Sequence, residues 1–352
     1  MRGMLLWEEE EIFELWGALD FSRWDSFFLQ NRGLLPEGLP LPSDFVLSLA
    51  QGEGASWAWG QAVWGTLQEA ALDSLQLFVL VLGGGCLMGL IAQKEGKVSQ
   101  MGAGVLRLSL WALVLLGVLG SVKRGLACLQ LLENLYGVML GVSLPALILL
   151  GSPGTATVLG AAGELLQGSI FGILQKAMVP LTLCAGVLGA LDSGEKGVLY
   201  GLSQLGDSLC RGGLRAVSLV YMLISGLLGR SAAAADGVLL RTGKAAAGAL
   251  PALGGLVSDS MEAVAACVGA VKGGMGTAAV LFLLLVILTP ALTLLLQSLA
   301  LRSAGAFGSA LGAGELSPVC ASLQRMLSLL ASFLIAGAAM GAVCLYTALG
   351  GL

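Results

Sequence analysis

The sequence predicts an all-α, polytopic integral membrane protein of about eight transmembrane helices, with one broken helical hairpin among them. Three observations carry this reading. Hydrophobic residues make up 57% of the 352-residue chain and charged residues only 11%, with a mean hydropathy of +0.90. A soluble domain carries about 25% charged residues, so this chain has too little polar surface to face water all round. Apolar runs of the roughly 20 residues that cross a bilayer recur from residue 71 to the C-terminus. The runs are divided by Pro, Gly and short charged stretches, which mark helix boundaries.

Residues 1–70 stand apart as an acidic, Trp-rich N-terminal segment. Glu8 to Glu11 form an acidic run, Pro36, Pro40 and Pro42 mark an extended linker, and six of the seven tryptophans lie here. No basic stretch followed by an apolar one signals export. The aromatics fit a segment resting on a membrane interface or a partner, or else a poorly ordered leader.

Residues 71–352 form the helical transmembrane domain. Spans are expected at about 71–92, 103–120, 134–151, 155–174, 177–191, 213–229, 276–300 and 326–350. Pro153 and Gly154 divide the long apolar block 126–191, and Pro145, Pro180 and Pro290 fall inside expected helices, where they remove a backbone bond. Within 155–174, Glu164 and Gln175 are eleven positions apart, three turns of an ideal α-helix, with Gln167 beside them. This intramembrane polar stripe must turn away from lipid, either as hydrogen-bonding glue between helices or as the lining of a polar passage. Residues 192–212 are amphipathic. Val198, Leu199, Leu202, Leu205 and Leu209 form one face and Lys196, Ser203, Asp207 and Arg211 the other, which reads as an interfacial helix. A polar hairpin over 302–325 leads to the last span.

The distribution of Lys and Arg gives a weak orientation. It places Lys94, Lys97, Arg107, Lys196, Arg211, Arg215, Arg302 and Arg325 on the cytoplasmic side, and Lys123, Arg124, Arg230, Arg241, Lys244 and Lys272 opposite, with Lys176 at a boundary. The cysteines at 86, 128, 184, 210, 267, 320 and 344 form no Cys-x-x-Cys pair and read as small core hydrophobes.

The central motif, 236–271, is the least ordinary stretch. It contains Asp236, Gly237, Arg241, Thr242, Lys244, Pro251, Gly254, Gly255, Ser258, Asp259 and Glu262. Two short helices, roughly 237–249 and 256–271, are expected around the Pro251–Gly255 turn, with Asp236 capping the first and Ser258 or Asp259 the second. Arg241 and Lys244 share one face, as do Asp259 and Glu262, so an antiparallel fold would set basic against acidic. The stretch reads either as a polar connector on the membrane surface or as a re-entrant hairpin packed among the spans.

The pattern ADGVLLRTGK…PALGGLVSDSME, followed by LFLLLVILTPALTLL, resembles the stage III sporulation protein AE family of endospore-forming bacteria. The similarity runs from about residue 70 to the C-terminus and is closest over 230–300. It implies a non-enzymatic membrane subunit of the secretion-like channel joining mother cell and forespore, needed for forespore development. It further implies residence in the mother-cell membrane around the forespore. The implied partners are other proteins of the stage III sporulation A operon, including its ATPase and ring-forming proteins, and indirectly a forespore membrane protein.

The residues themselves point away from catalysis. Histidine is absent, which removes the commonest general base and metal ligand. RTGKAA lacks the upstream Gly and the following Ser or Thr of a P-loop, and no Gly-x-Ser-x-Gly elbow occurs. No catalytic, cofactor or metal site is expected. A net charge of −4 argues against nucleic acid, whose phosphates require a basic face. The other function the sequence permits is a self-contained small-solute permease, which would work without partners.

Overall fold

The computed structural model describes residues 21–34, 40–45, 56–92, 97–149, 152–191, 198–248, 254–310 and 316–349. Side chains in 228–275, in most of 88–113 and at a few helix ends lie outside the description. Among the described residues the fold is all-α. A short helix α1 (Ser22–Gln30) precedes α2 (Ser56–Ala92) and α3 (Lys97–Leu149). A rod follows, made of α4 (Pro153–Glu164), two π-helical stretches at Leu165–Phe171 and Leu174–Met178, and α5 (Val179–Leu191). The chain continues as α6 (Val198–Gly248), α7 (Gly254–Ala310) and α8 (Leu316–Leu349). Among the described residues, five stretches are long and apolar enough to cross a membrane: Val63–Leu87, Val114–Leu149, Pro153–Leu191, Gly276–Ala310 and Ser317–Tyr346.

The helices are longer and fewer than the apolar runs suggest. The expected spans 103–120 and 134–151 lie in the single 53-residue helix α3, which passes through Lys123 and Arg124 without a break. The spans 155–174 and 177–191 belong to one helical rod. The expected interfacial helix, the span 213–229 and the first helix of the central motif are one helix, α6. The polar hairpin is shorter than 302–325, because α7 continues to Ala310 and α8 starts at Leu316. Charge and glycine mark a change of environment without stopping these helices, and Pro145 and Pro290 likewise lie inside α3 and α7.

Helix α6 has its apolar face turned away from the bundle. Leu202, Leu205, Leu209, Leu219, Leu223 and Leu227 point outward, while Ser203, Asp207, Cys210, Tyr221 and Ser225 are buried against the bundle. Lipid imposes this arrangement on a surface helix as on a span, because hydrocarbon solvates leucine and rejects hydroxyl and carboxylate groups.

Close packing rests on small residues, as association in lipid requires. A Cβ on Gly206 would stand 2.9 Å from Ala185 Cβ, and one on Gly186 would stand 2.5 Å from Met326 Sδ. A Cβ on Gly189 would meet Ser203 and Ser322. Four cysteines (128, 210, 320 and 344) are buried as core groups; Cys86 is half-buried and Cys184 exposed.

These contacts set the helices in register. Helix α3 runs antiparallel to α2, with Asp73 on Arg124 and Leu77 against Gly117. It runs parallel to α8, with Leu132 against Gly337 and Tyr136 against Gly341. Arg124 is therefore level with Leu329, about one turn from Arg325. The rod runs antiparallel to α8, pairing Phe171 with Gly337 and Gly186 with Met326, which brings Lys176 within about two turns of the same level. Arg325 in turn reaches Asp207. One charged tier thus crosses the bundle through Asp73, Lys123, Arg124, Lys176, Asp207 and Arg325. The Lys/Arg assignment that puts Arg124 and Arg325 on opposite sides of the membrane does not fit this register.

The register makes a direct prediction. Single cysteines replacing the exposed Lys123 and Lys176, in a chain without native cysteines, should react with an impermeant maleimide from the same side of the membrane. Labelling from opposite sides would show the tier to be wrong.

Candidate functional site

Polar side chains converge on Glu133, in the interior of α3. Gln175 Nε2 donates to Glu133 Oε2 at 2.7 Å, and Gln167 Nε2 donates to the Glu133 carbonyl at 3.3 Å. All three residues are half-buried, whereas Glu164 is exposed. Two of the three stripe residues therefore meet, and Glu164 is not with them. The reason is the π-helix. At 100° per residue, Gln167 and Gln175 would point about 80° apart. The wider i→i+5 turns of Leu165–Phe171 and Leu174–Met178 place more residues in each turn. They bring Gln167 and Gln175 onto one partner and rotate Glu164 away.

The second wide turn has a local cause. Pro180 cannot donate a backbone bond, and its ring crowds the carbonyl one turn back, so the turn before it opens. The first wide turn contains Gly168 and Ser169 and is followed by Gly172. A Cβ on Gly137 of α3 would collide with the Gln167 amide, so glycine at 137 is what lets this amide lie on α3.

Beside this contact opens a cleft of about 570 Å³, lined by Arg23, Phe27, Gln30, Asn31, Asn134, Gly137, Val138, Gly141 and Gln167. Its size falls in the range of about 300–1,000 Å³ common for small-molecule sites. Most of its polar lining is amide, which both donates and accepts hydrogen bonds. One wall comes from α1. Of the described N-terminal aromatics, Trp24, Phe28 and Phe45 are buried in the protein core, whereas Trp64 is exposed; residues 1–20 lie outside the described residues.

A second polar node joins α5, α6 and α8. Arg325 Nη1 lies 3.5 Å from Asp207 Oδ2, with side chains only 20% and 11% exposed, and the guanidinium sits 5.5 Å from the Tyr200 ring centre. Ser322 donates to the Gly186 carbonyl at 2.9 Å and Thr182 to Cys210 Sγ at 3.3 Å. Burial pushes the Asp207 carboxyl up from its ordinary value, and the Arg325 and Arg211 guanidiniums pull it partly back. A third cluster, Tyr136, Tyr221 and Cys344, meets in the core between α3, α6 and α8.

The central-motif residues Asp236, Gly237, Arg241, Thr242, Lys244, Pro251, Gly254, Gly255, Ser258, Asp259 and Glu262 carry no described side chain. The backbone is helical through Gly248 and again from Gly254. Sequence reasoning missed Glu133 and the inward role of Asp207. Glu133 was findable as an acid inside the apolar block 126–149. Asp207 was visible only as one edge of an amphipathic pattern, whose inward side depends on the solvent.

The fold and these sites define an integral membrane protein with lipid-facing leucines and buried polar contacts between helices. The chain belongs to the stage III sporulation protein AE family, whose model matches residues 60–350. No curated protein and no solved structure shows significant similarity to it.

Two predictions follow from the geometry. Glu133→Leu, which strands the Gln175 amide but keeps the backbone carbonyl that Gln167 uses, should lower stability by about 1–3 kcal/mol, whereas Glu164→Gln should change it by less than about 0.5 kcal/mol. Thermal unfolding in detergent separates the two; equal shifts would show that the convergence on Glu133 is unimportant. Arg325→Leu leaves Asp207 buried without its cation and should cost about 3–5 kcal/mol, and adding Asp207→Leu should recover most of that. The pH dependence has a definite sign. With the folded value of Asp207 above the unfolded one, the folded chain binds the extra proton, and stability falls as pH rises between the two values. Asp207→Asn should flatten that slope, and an unchanged slope would remove Asp207 as its source.

Proposed function

We propose that this chain is a non-enzymatic, polytopic membrane subunit of the sporulation-specific, secretion-like channel between mother cell and forespore, required for forespore development. The supporting observation is the family match over 60–350, which takes in nearly all of the described bundle. In this reading the chain sits in the mother-cell membrane surrounding the forespore. It works with other proteins of the stage III sporulation A operon, including its ATPase and ring-forming proteins, and indirectly with a forespore membrane protein. The ATPase supplies the energy. This chain supplies a membrane platform in which long helices hold a polar interior.

The Glu133–Gln167–Gln175 contact and the adjoining cleft favour a second reading, a self-contained permease for a small polar solute. The two differ in autonomy. An affinity-tagged chain purified in mild detergent from sporulating cells should bring the ATPase and ring-forming proteins with it, and liposomes holding this chain alone should be inactive in solute uptake. A chain that purifies alone and transports in liposomes would overturn the subunit reading.

A further inference from the structure

The open cleft beside Gln167 carries charge of one sign. Among the described residues its lining holds one cation, Arg23, with four side-chain amides, Gln30, Asn31, Asn134 and Gln167, and no carboxylate. The acid of α1, Asp25, accepts the Ser43 N–H at 3.1 Å. Glu133 accepts from Gln175 and does not line the cleft. No ion pair among the described residues holds the Arg23 guanidinium.

The amides are only partly used. Asn31 Nδ2 donates to the Phe27 carbonyl at 2.8 Å and Gln167 Nε2 to the Glu133 carbonyl at 3.3 Å. Both side-chain carbonyls remain as acceptors. Gln30 and Asn134 are exposed in the cleft wall and carry donor and acceptor alike.

Glycine provides the space. A Cβ on Gly141 of α3 would meet only Arg23 Nη1, at 3.8 Å, so the absence of a side chain there leaves room directly before the guanidinium. The helix that carries Arg23 is fixed to the bundle. Trp24 and Phe28 are buried at 3% and 6% exposure, and Phe28 meets the Phe282 ring edge to face at 5.7 Å between centres.

These features select a ligand by charge. A cation would meet a guanidinium and find no counter-charge. An anion gains charge-assisted bonds from a planar fork of N–H donors, which carboxylate and phosphate fit. A purely apolar solute would strand the amides.

We propose that this open cleft binds an oxyanion, a carboxylate or phosphate held by Arg23 over Gly141, on a small polar group that hydrogen-bonds to Gln30, Asn134 and Gln167. The oxyanion belongs to a free solute or to a lipid headgroup. The proposal rests on the small-solute reading for its site and gives that site a ligand class. Occupancy is distinct from transport, and a channel subunit can bind without transporting.

The test reads occupancy alone. It uses the full chain without native cysteines in a non-ionic detergent, with Val138→Cys in the cleft lining as reporter and a small maleimide as label. The probes are sodium phosphate and sodium lactate, each against sodium chloride at equal ionic strength, and micelles doped with phosphatidylglycerol against micelles doped with neutral diacylglycerol. At least one probe should slow labelling by about threefold or more, the effect of filling roughly two thirds of the sites. Slowing by phosphate or lactate supports the proposal with a free solute as ligand, and slowing by phosphatidylglycerol alone supports it with a lipid headgroup. Arg23→Gln should abolish the slowing, and so should Gly141→Leu, which fills the space before Arg23. No slowing by any probe would overturn the oxyanion site. So would slowing that survives either substitution, or that appears equally at Lys123→Cys, an exposed position outside the cleft. Uptake into liposomes is a separate measurement, so loss of the permease reading leaves this result standing.

Discussion

The constraint on which the rest of this structure depends is the solvent. Hydrocarbon cannot hydrogen-bond, so a polar group turned outward into lipid loses its water and gains nothing. Helix α6 shows the result. Its leucines face out, and Ser203, Asp207, Cys210, Tyr221 and Ser225 face in. The buried polar groups then become the contacts between helices. Asp207 reaches Arg325, Gln175 and Gln167 reach Glu133, and Ser322 reaches the Gly186 carbonyl. Each of these joins elements far apart in sequence, and together they fix a register that apolar packing alone would leave free to slide.

Such contacts require backbones close enough for short side chains to meet. This explains the glycines better than any idea of flexibility. Gly137 admits the Gln167 amide, Gly186 and Gly189 admit Met326, Ser203 and Ser322, and Gly206 admits Ala185. The polar and small residues are therefore one device. Glycine brings the helices together, and an amide, hydroxyl or ion pair locks them at the chosen height. Replacing either half damages the other, by a clash in one case and by a stranded buried polar group in the other.

Fold class was legible in the sequence, because the shortage of charge and the recurring apolar runs have no soluble solution. Helix count was not. Lys123 and Arg124 in α3 look like a loop, yet their long side chains reach a polar level without disturbing the backbone. Two of the three residues of the polar stripe were legible for a similar reason. Gln167 and Gln175 were identifiable as groups that must find partners. The face they share depends on two π turns, and period counting assumes 3.6 residues per turn throughout. For α6 the amphipathic pattern was legible, but period alone does not say what each face meets, and that Ser203 and Asp207 pack against the bundle needed the structure.

The charged tier bears on how so long a bundle can sit in a membrane at all. Helices α3, α6 and α7 contain 53, 51 and 57 residues, each near or above 75 Å, against a hydrocarbon core of about 30 Å. They cannot lie wholly within one bilayer. Arg124 and Asp73, exposed at 56% and 40% and paired at 2.9 Å, make poor lipid neighbours, so the tier is the natural boundary. From Gly125 to Leu149, α3 has 25 positions on one side of it, enough to cross the bilayer once. On that side lie Glu133, Gln167 and the cleft.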